Sequence, residues 1–331
     1  MNRRFFLKSA ACIIGATVVP LEAIASEQIP VNIGLGSGTF ANAPALLAAE
    51  LGLYEKHGLA ATVTIAENAS VATSAMLSGS FDVAFVGAGE LITTQGRGQD
   101  VVALASIYGG SSATVILSNA AVAKLEVSAS ASAQERIKAL DGLTIATPSK
   151  VSSFTYALLS AADGAGAKPT ITYMSQGTMA AALQTGAIDG FIASAPFWVA
   201  PVDGGFGTVW LKGTLGELGA AHTLSSAASA QMLRSHAEKN PEIVNRLRAA
   251  LDELSTIIVE MPEVVKEALL KIYPSLTPQA LDIVYETDAI GWTNNKLTPE
   301  NIANDIAIIK ATNADLPEID KIDPAKLLFP R

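Results

Sequence analysis

Ala75-Met76-Leu77-Ser78-Gly79-Ser80-Phe81-Asp82-Val83-Ala84-Phe85-Val86-Gly87 aligns without a gap on Ala182-Leu183-Gln184-Thr185-Gly186-Ala187-Ile188-Asp189-Gly190-Phe191-Ile192-Ala193-Ser194. Each copy reads as the end of a helix, a glycine stop, an aspartate, and an apolar strand that runs into a loop of small residues. Glycine can take the left-handed conformation that ends a helix, and the strand is apolar enough to be buried on both faces of a parallel sheet. Two copies in register predict two similar α/β lobes.

Outward from the first copy, Ile29 to Gly36 alternates as a strand, Ser37 to Phe40 is a loop, and Ala43 to Leu51 is an alanine- and leucine-rich helix stopped by Gly52. A second strand follows at Ala61 to Ile65, and strand, helix, strand at this spacing predicts a mostly parallel sheet. Before the second copy, Ala120 to Gln134 reads as mixed linker and helix, and Leu140 to Pro148 restarts the pattern with a strand. Beyond Trp210 the chain is polar and glycine-rich through His222 to Ser229, then helical to its end. Glu242 to Val259 and Pro262 to Ile272 are amphipathic, with proline in the first turn of each. The order predicts a second lobe, residues 116–223, inserted into a first lobe made of 26–115 and 224–331. Two crossings near Ser112 to Ser118 and His222 to Ser229 form the expected hinge.

The N-terminus carries Arg3-Arg4, the apolar run Ala10 to Val19, and the small-x-small site Ala23-Ile24-Ala25. That run is shorter than the roughly 20 residues that cross a bilayer, so residues 1–25 are expected to be a cleaved twin-arginine export signal and the protein periplasmic. Cleavage leaves 306 residues with 19 basic and 30 acidic side chains, a formal charge of −11, and no cysteine, since Cys12 is lost. Disulfides, thiolate nucleophiles and thiolate-bound metals are therefore excluded from the mature chain. The acidic balance disfavours nucleic acid and anionic membranes. A small solute is the expected partner, and the expected state is a monomer.

Leu51 to Leu59, Leu77 to Ala84, Leu140-Asp141-Gly142-Leu143-Thr144-Ile145-Ala146 and Gly186 to Gly190 with Pro196 downstream form one pattern over nearly the whole mature chain. In these stretches the chain resembles the nitrate/sulfonate/taurine group of periplasmic solute-binding proteins, which also includes thiamine-pyrimidine precursor binders. The resemblance implies a type II periplasmic-binding fold with two Rossmann-like lobes, ligand capture by hinge closure, and delivery to the permease of an ABC importer.

In open α/β sheets, ligands bind beyond the carboxyl ends of the strands. The candidate ligand residues are therefore Ser37, Gly38, Thr39 and Phe40; Gly87, Ala88, Gly89 and Glu90; Tyr108; Ser149, Lys150, Ser152, Ser153 and Phe154; and Ala195, Pro196, Phe197 and Trp198. Small residues there offer backbone and hydroxyl donors. Five of the chain's 19 Phe, Trp and Tyr residues also fall in these loops, which suggests a ligand with a flat or apolar part. Lys150, the only cation among them, precedes serines that could cap a helix over Phe154 to Ala162, the arrangement of an anion site; an ordinary cap beside a solvated lysine reads the same way. Glu90 either accepts from a ligand amine or hydroxyl, or meets the N-terminus of its own helix. The expected ligand is a small organic anion, a sulfonate or carboxylate, aromatic ones included.

A biosynthetic enzyme on the same fold, of the pyrimidine-precursor type, is the rival reading, and a ligand sensor for a membrane receptor is another. The enzyme relatives look to a cysteine-rich motif and an active-site histidine; the mature chain has no cysteine, and His57, His222 and His236 lie apart, outside the candidate loops. Gly34-Leu35-Gly36-Ser37-Gly38-Thr39 lacks the last glycine of a dinucleotide fingerprint. Asp82 and Asp189 sit at the strand starts, away from the predicted cleft, and read as structural. No cofactor and no metal site is expected.

Overall fold

The computed structural model describes residues 28–148, 152–293, 296–312 and 318–331, with the backbone alone at 311 and 312. The export-signal reading therefore lies outside the described residues. So do Ser149 and Lys150.

Two five-stranded sheets form the two lobes. The first holds β1 (Ile29–Leu35), β2 (Leu59–Ile65), β3 (Val83–Gly87), β4 (Val101–Tyr108) and β10 (Ala228–Leu233) in the order β2-β1-β3-β10-β4. The second holds β5 (Thr114–Ser118), β6 (Thr144–Thr147), β7 (Thr170–Tyr173), β8 (Gly190–Ala193) and β9 (Gly207–Lys212) in the order β7-β6-β8-β5-β9. β10 runs antiparallel to β3 and β4, and β5 antiparallel to β8 and β9. Each sheet thus takes as its fourth strand the segment that has just crossed from the other lobe. This is the type II arrangement expected of the two-lobed reading.

The repeat is reproduced atom for atom. The helices Ala69–Leu77 and Gln176–Gln184 end at Gly79 (φ 81°) and Gly186 (φ 73°). The N–H groups of Ser80 and Ala187, one residue on, return to the carbonyls of Ala75 and Ala182 at 2.8 and 3.0 Å. Asp82 Oδ2 then accepts from the N–H of Asn32 in β1 at 2.8 Å, and Asp189 Oδ2 from that of Thr144 in β6 at 2.9 Å. The aspartates bind adjacent strands together at the ends away from the cleft, as the sequence suggested.

Two expectations are corrected. The boundary expected between residues 115 and 116 falls inside β5, all of whose residues pair in the second sheet, so the first crossing lies between Tyr108 and Thr114. The stretch read as a polar connection to Ser229 runs into β10, the penultimate strand of the first sheet. Its sequence, Ala228-Ser229-Ala230-Gln231-Met232-Leu233, is a poor strand former, yet Ser229 and Gln231 are fully buried. Gln231 Nε2 donates to Gly87 O at 2.9 Å and to Ser229 Oγ at 3.2 Å. Wedged between β3 and β4, the segment takes its backbone partners from both neighbours, and that position overrides local preference.

The crossings are bonded to each other and to the C-terminal helices. Gly110 N–H donates to Ser225 O, and Gly109 N–H to Gly291 O in the helix Pro278–Thr293, both at 2.9 Å. From the helix Pro299–Thr312, Asp305 Oδ2 accepts from Ser226 N–H at 2.9 Å and Ser226 Oγ at 2.7 Å, while Asn301 and Asn304 donate to Leu224 O and Ala221 O at 2.7 and 2.8 Å.

Gly186→Ala places a Cβ in the left-handed region but meets no neighbouring atom within 4 Å. It should cost about 1–2 kcal/mol of unfolding free energy from backbone strain alone, read from urea denaturation.

Candidate functional site

β1 runs parallel to β3 and β6 parallel to β8, so that within each lobe the two strands end on the same side, with the candidate loops following them. After β1, Ser37 Oγ lies 2.9 Å from Thr39 Oγ1, and Asn42 Nδ2 donates to Ser37 O and Oγ at 3.1 and 3.0 Å. Ser37 and Gly38 stay half-buried, and Thr39 is buried. Phe40 N–H donates across the lobes to Ala195 O at 2.9 Å.

Phe40 is an anchor and offers no free face to a ligand. Its ring stacks on Tyr273 (centroids 4.7 Å apart) and Trp292 (5.8 Å). Trp292 Nε1 donates to Phe40 O at 2.8 Å, and Tyr273 OH to Thr39 O at 3.2 Å. Tyr108 and Trp198 are likewise fully buried. The suggestion of a flat ligand drawn from five aromatic loop residues thus loses three of them to packing. Aromatic rings at strand ends fill the junction of lobe and loop because they bury the most area there. Phe154 packs half-buried against the second-lobe core, and Phe197 half-buried against the core that the lobes share.

After β3, Gly87 precedes the helix Ala88–Gly96; Ala88 is buried, and Gly89 is half-buried with open space above its Cα. Glu90 meets the N-terminus of its own helix. Burial pushes its pKa up, against the N–H groups of Glu90 and Gly87, which lower it. The carboxylate is thereby occupied by its own loop.

In the second lobe, Ser152 Oγ accepts from Phe154 N–H at 3.2 Å, capping the helix Ser153–Ala165, with Ser153 exposed at its first turn. After β8, Ser194 N–H and Oγ both donate to Gln176 Oε1, at 2.8 and 3.3 Å, and the Ala195–Pro196 peptide is cis. Ala195 is buried and Pro196 half-buried. Buried groups at this end of the lobe without a hydrogen-bond partner include Thr147 Oγ1, on the last residue of β6, and Trp198 Nε1. Such groups are uncommon, because an unmade buried hydrogen bond costs about 1–3 kcal/mol. Thr147 and Gln176 were missed by the sequence reading. The signal for Thr147 was available, since it ends a strand one residue before the loop inspected.

Under the Ser37–Asn42 loop lies a buried carboxyl with no cationic partner among the described residues. Asp288 accepts from Tyr108 OH at 3.3 Å and Thr287 Oγ1 at 3.2 Å, and burial raises its pKa from 3.8 to about 7 against those two bonds, which lower it. Tyr108 is raised well above the ordinary tyrosine value, first by burial and then by Asp288.

A family model described as the NMT1-like family matches residues 25–269. The chain belongs to the NMT1-like family. Putative binding proteins of Brucella abortus (strain 2308) and Brucella suis biovar 1 (strain 1330) are 33% identical to it over 107 residues, which is 32% of this chain and 32% of each relative. Among solved structures, a protein from Bordetella bronchiseptica RB50 superposes with a TM-score of 0.72 at 18% identity, covering 91% of this chain and 95% of that one. The periplasmic aliphatic sulphonate binding protein SsuA from Escherichia coli gives 0.62 at 20% identity, covering 79% and 84%. The periplasmic nitrate-binding protein NrtA from Synechocystis PCC 6803 gives 0.64 at 17%, covering 91% and 87%. Family and fold agree with the resemblance read from the sequence.

No helix among the described residues is long and apolar enough to cross a membrane, and none of their His, Cys, Asp or Glu side chains gather in threes as a metal site would require.

Because the native pKa of Asp288 is raised, its ionisation opposes folding: below about pH 4 both folded and unfolded chains hold the proton and nothing is lost, and stability falls as pH rises from there to about 7. Asp288→Asn should remove that loss, worth on the order of 4 kcal/mol if the full shift is expressed. Urea denaturation at pH 5 and pH 7.5 should therefore show a smaller difference in the variant than in the wild type.

Proposed function

We propose that this chain is an extracytoplasmic solute-binding protein that takes a small organic anion, a sulfonate or carboxylate, between its two lobes and passes it to the permease of an ABC importer. It acts as a monomer and catalyses no reaction. The observation that carries the reading is the cleft itself. Loops of glycine, serine and threonine follow equivalent strand ends of two repeated lobes, the Phe40 N–H to Ala195 O bond joins one such loop of each lobe, and the buried donors Thr147 Oγ1 and Trp198 Nε1 stand unpartnered in the second lobe. Donors without bulk and without bound partners suit an oxyanion whose charge is spread over several oxygens. The names of the sulphonate- and nitrate-binding proteins that share the fold agree with this chemistry.

Lys150, which precedes the capped helix Ser153–Ala165 in the sequence, supplies the positive charge in this reading, while Glu90 is turned onto its own helix. The half-buried Phe154 and Phe197 are the aromatic residues that remain to contact a nonpolar part.

A thermal-shift screen of nitrate, taurine, alkane- and arenesulfonates, aromatic carboxylates and thiamine-pyrimidine precursors tests the reading. A true ligand at a hundred times its dissociation constant should add about 2.7 kcal/mol of stability. A neutral or cationic pyrimidine as the sole stabiliser would overturn the anion assignment. For the ligand so found, Lys150→Ala should weaken calorimetric binding ten-fold or more, from roughly 1.5–3 kcal/mol for a charge-assisted bond. An unchanged affinity would remove Lys150 from the site.

A further inference from the structure

The strand orders place both crossings towards one end of each sheet. β4 and β10 lie at one end of the first sheet and β5 and β9 at one end of the second, so β2 and β7 are the edges farthest from the hinge. Both edge strands run parallel to their neighbours and end at the cleft. Their last residues occupy the same register position: Ile65 pairs with Leu35, the last residue of β1, and Tyr173 with Thr147, the last residue of β6. Each is a large apolar side chain left half in water, Ile65 at 53% and Tyr173 at 49% exposure. The usual occupants of such exposed edge positions are short or charged. Here the same exception occurs at the equivalent edge-strand end of each lobe.

Near the hinge the cleft is shut. The Phe40–Ala195 hydrogen bond ties the lobes beside a Phe40 ring packed on Trp292, in the helix that also holds the first crossing. At the mouth, Ile65 reaches over the first ligand loop, with its Cδ1 3.5 Å from where a Cβ on Gly38 would stand.

We propose that Ile65 and Tyr173 are the two lips of an apolar clasp that closes across the mouth of the cleft and covers the nonpolar part of an organic anion held deeper inside. Its ligand rests on the function proposed above; the meeting of the lips rests on the fold alone. Rotation about the crossings moves the mouth farthest, so apolar area there leaves water only in the closed state. Its burial favours closure, and a longer nonpolar tail gives the lips more to cover.

The test uses the full chain carrying Cys12→Ser with Ile65→Cys and Tyr173→Cys, which has no other cysteine. A short phenylene-bridged bismaleimide should consume both thiols of each monomer with a single linker, read by intact mass. Two linkers on one chain, each attached at one end, would show that the lips do not meet, and would overturn the clasp. In a second arm, calorimetry with alkanesulfonates from methane- to octanesulfonate should show wild-type Kd falling about four-fold per added methylene, equivalent to about 0.8 kcal/mol each. Ile65→Ser with Tyr173→Ser should flatten that dependence while leaving methanesulfonate affinity within about two-fold. A full chain-length dependence in the double variant would refute the role in covering the ligand. If no alkanesulfonate binds the wild type, the sulfonate reading of the site fails, and the cross-linking arm still decides whether the lips meet.

Discussion

The backbone bond from Gly110 to Ser225 joins the two places where the chain passes between lobes. Each lobe depends on both passages, because the strand that arrives through each becomes the fourth strand of the receiving sheet. Withdrawing either strand would leave two strands of the same sheet unpaired on one side. The hinge is thus part of both cores, and its freedom is limited to the five residues between Tyr108 and Thr114 and the fifteen between Lys212 and Ala228. The C-terminal helices limit it further through Asp305, Asn301 and Asn304, whose side chains satisfy backbone groups of the second crossing.

The same junction explains why aromatic residues at the strand ends are packed instead of presented. Phe40, Tyr273, Trp292 and Tyr108 fill the space between the first ligand loop and the helix that pins the first crossing. Asp288 is retained within this cluster at a cost in desolvation, with hydroxyl donors but no cation to offset it. What remains for a solute is a set of small polar groups, most of them on backbone that the sheets hold rigidly. Binding by fixed dipoles of this kind needs little rearrangement of the lobes themselves. In the function proposed above, the work of capture then falls on closure.

The repeat was legible because it is local. Helix, left-handed glycine, aspartate and buried strand are each written within thirteen consecutive residues, and the structure repeats them with the same hydrogen bonds in both lobes. β10 was not legible, because nothing in Ala228–Leu233 favours a strand; its extended form follows from partners that lie more than a hundred residues away in the chain. The candidate loops could be found from where strands end. Which of their side chains face the cleft could not, since Phe40 and Trp198 are hidden by contacts with helices and loops remote in sequence.

The sequence by itself determined two repeated α/β lobes, their nesting, and the family to which the chain belongs. These rest on periodicity, turn chemistry and composition, which act over a few residues at a time. Only the tertiary structure decided the exchange of strands, the burial of the aromatic residues, the turning of Glu90 onto its own helix, and the exposure of Ile65 and Tyr173 at equivalent edge-strand ends. Each of those depends on which distant segments share a boundary, and a boundary between segments has no counterpart in the order of residues along either one.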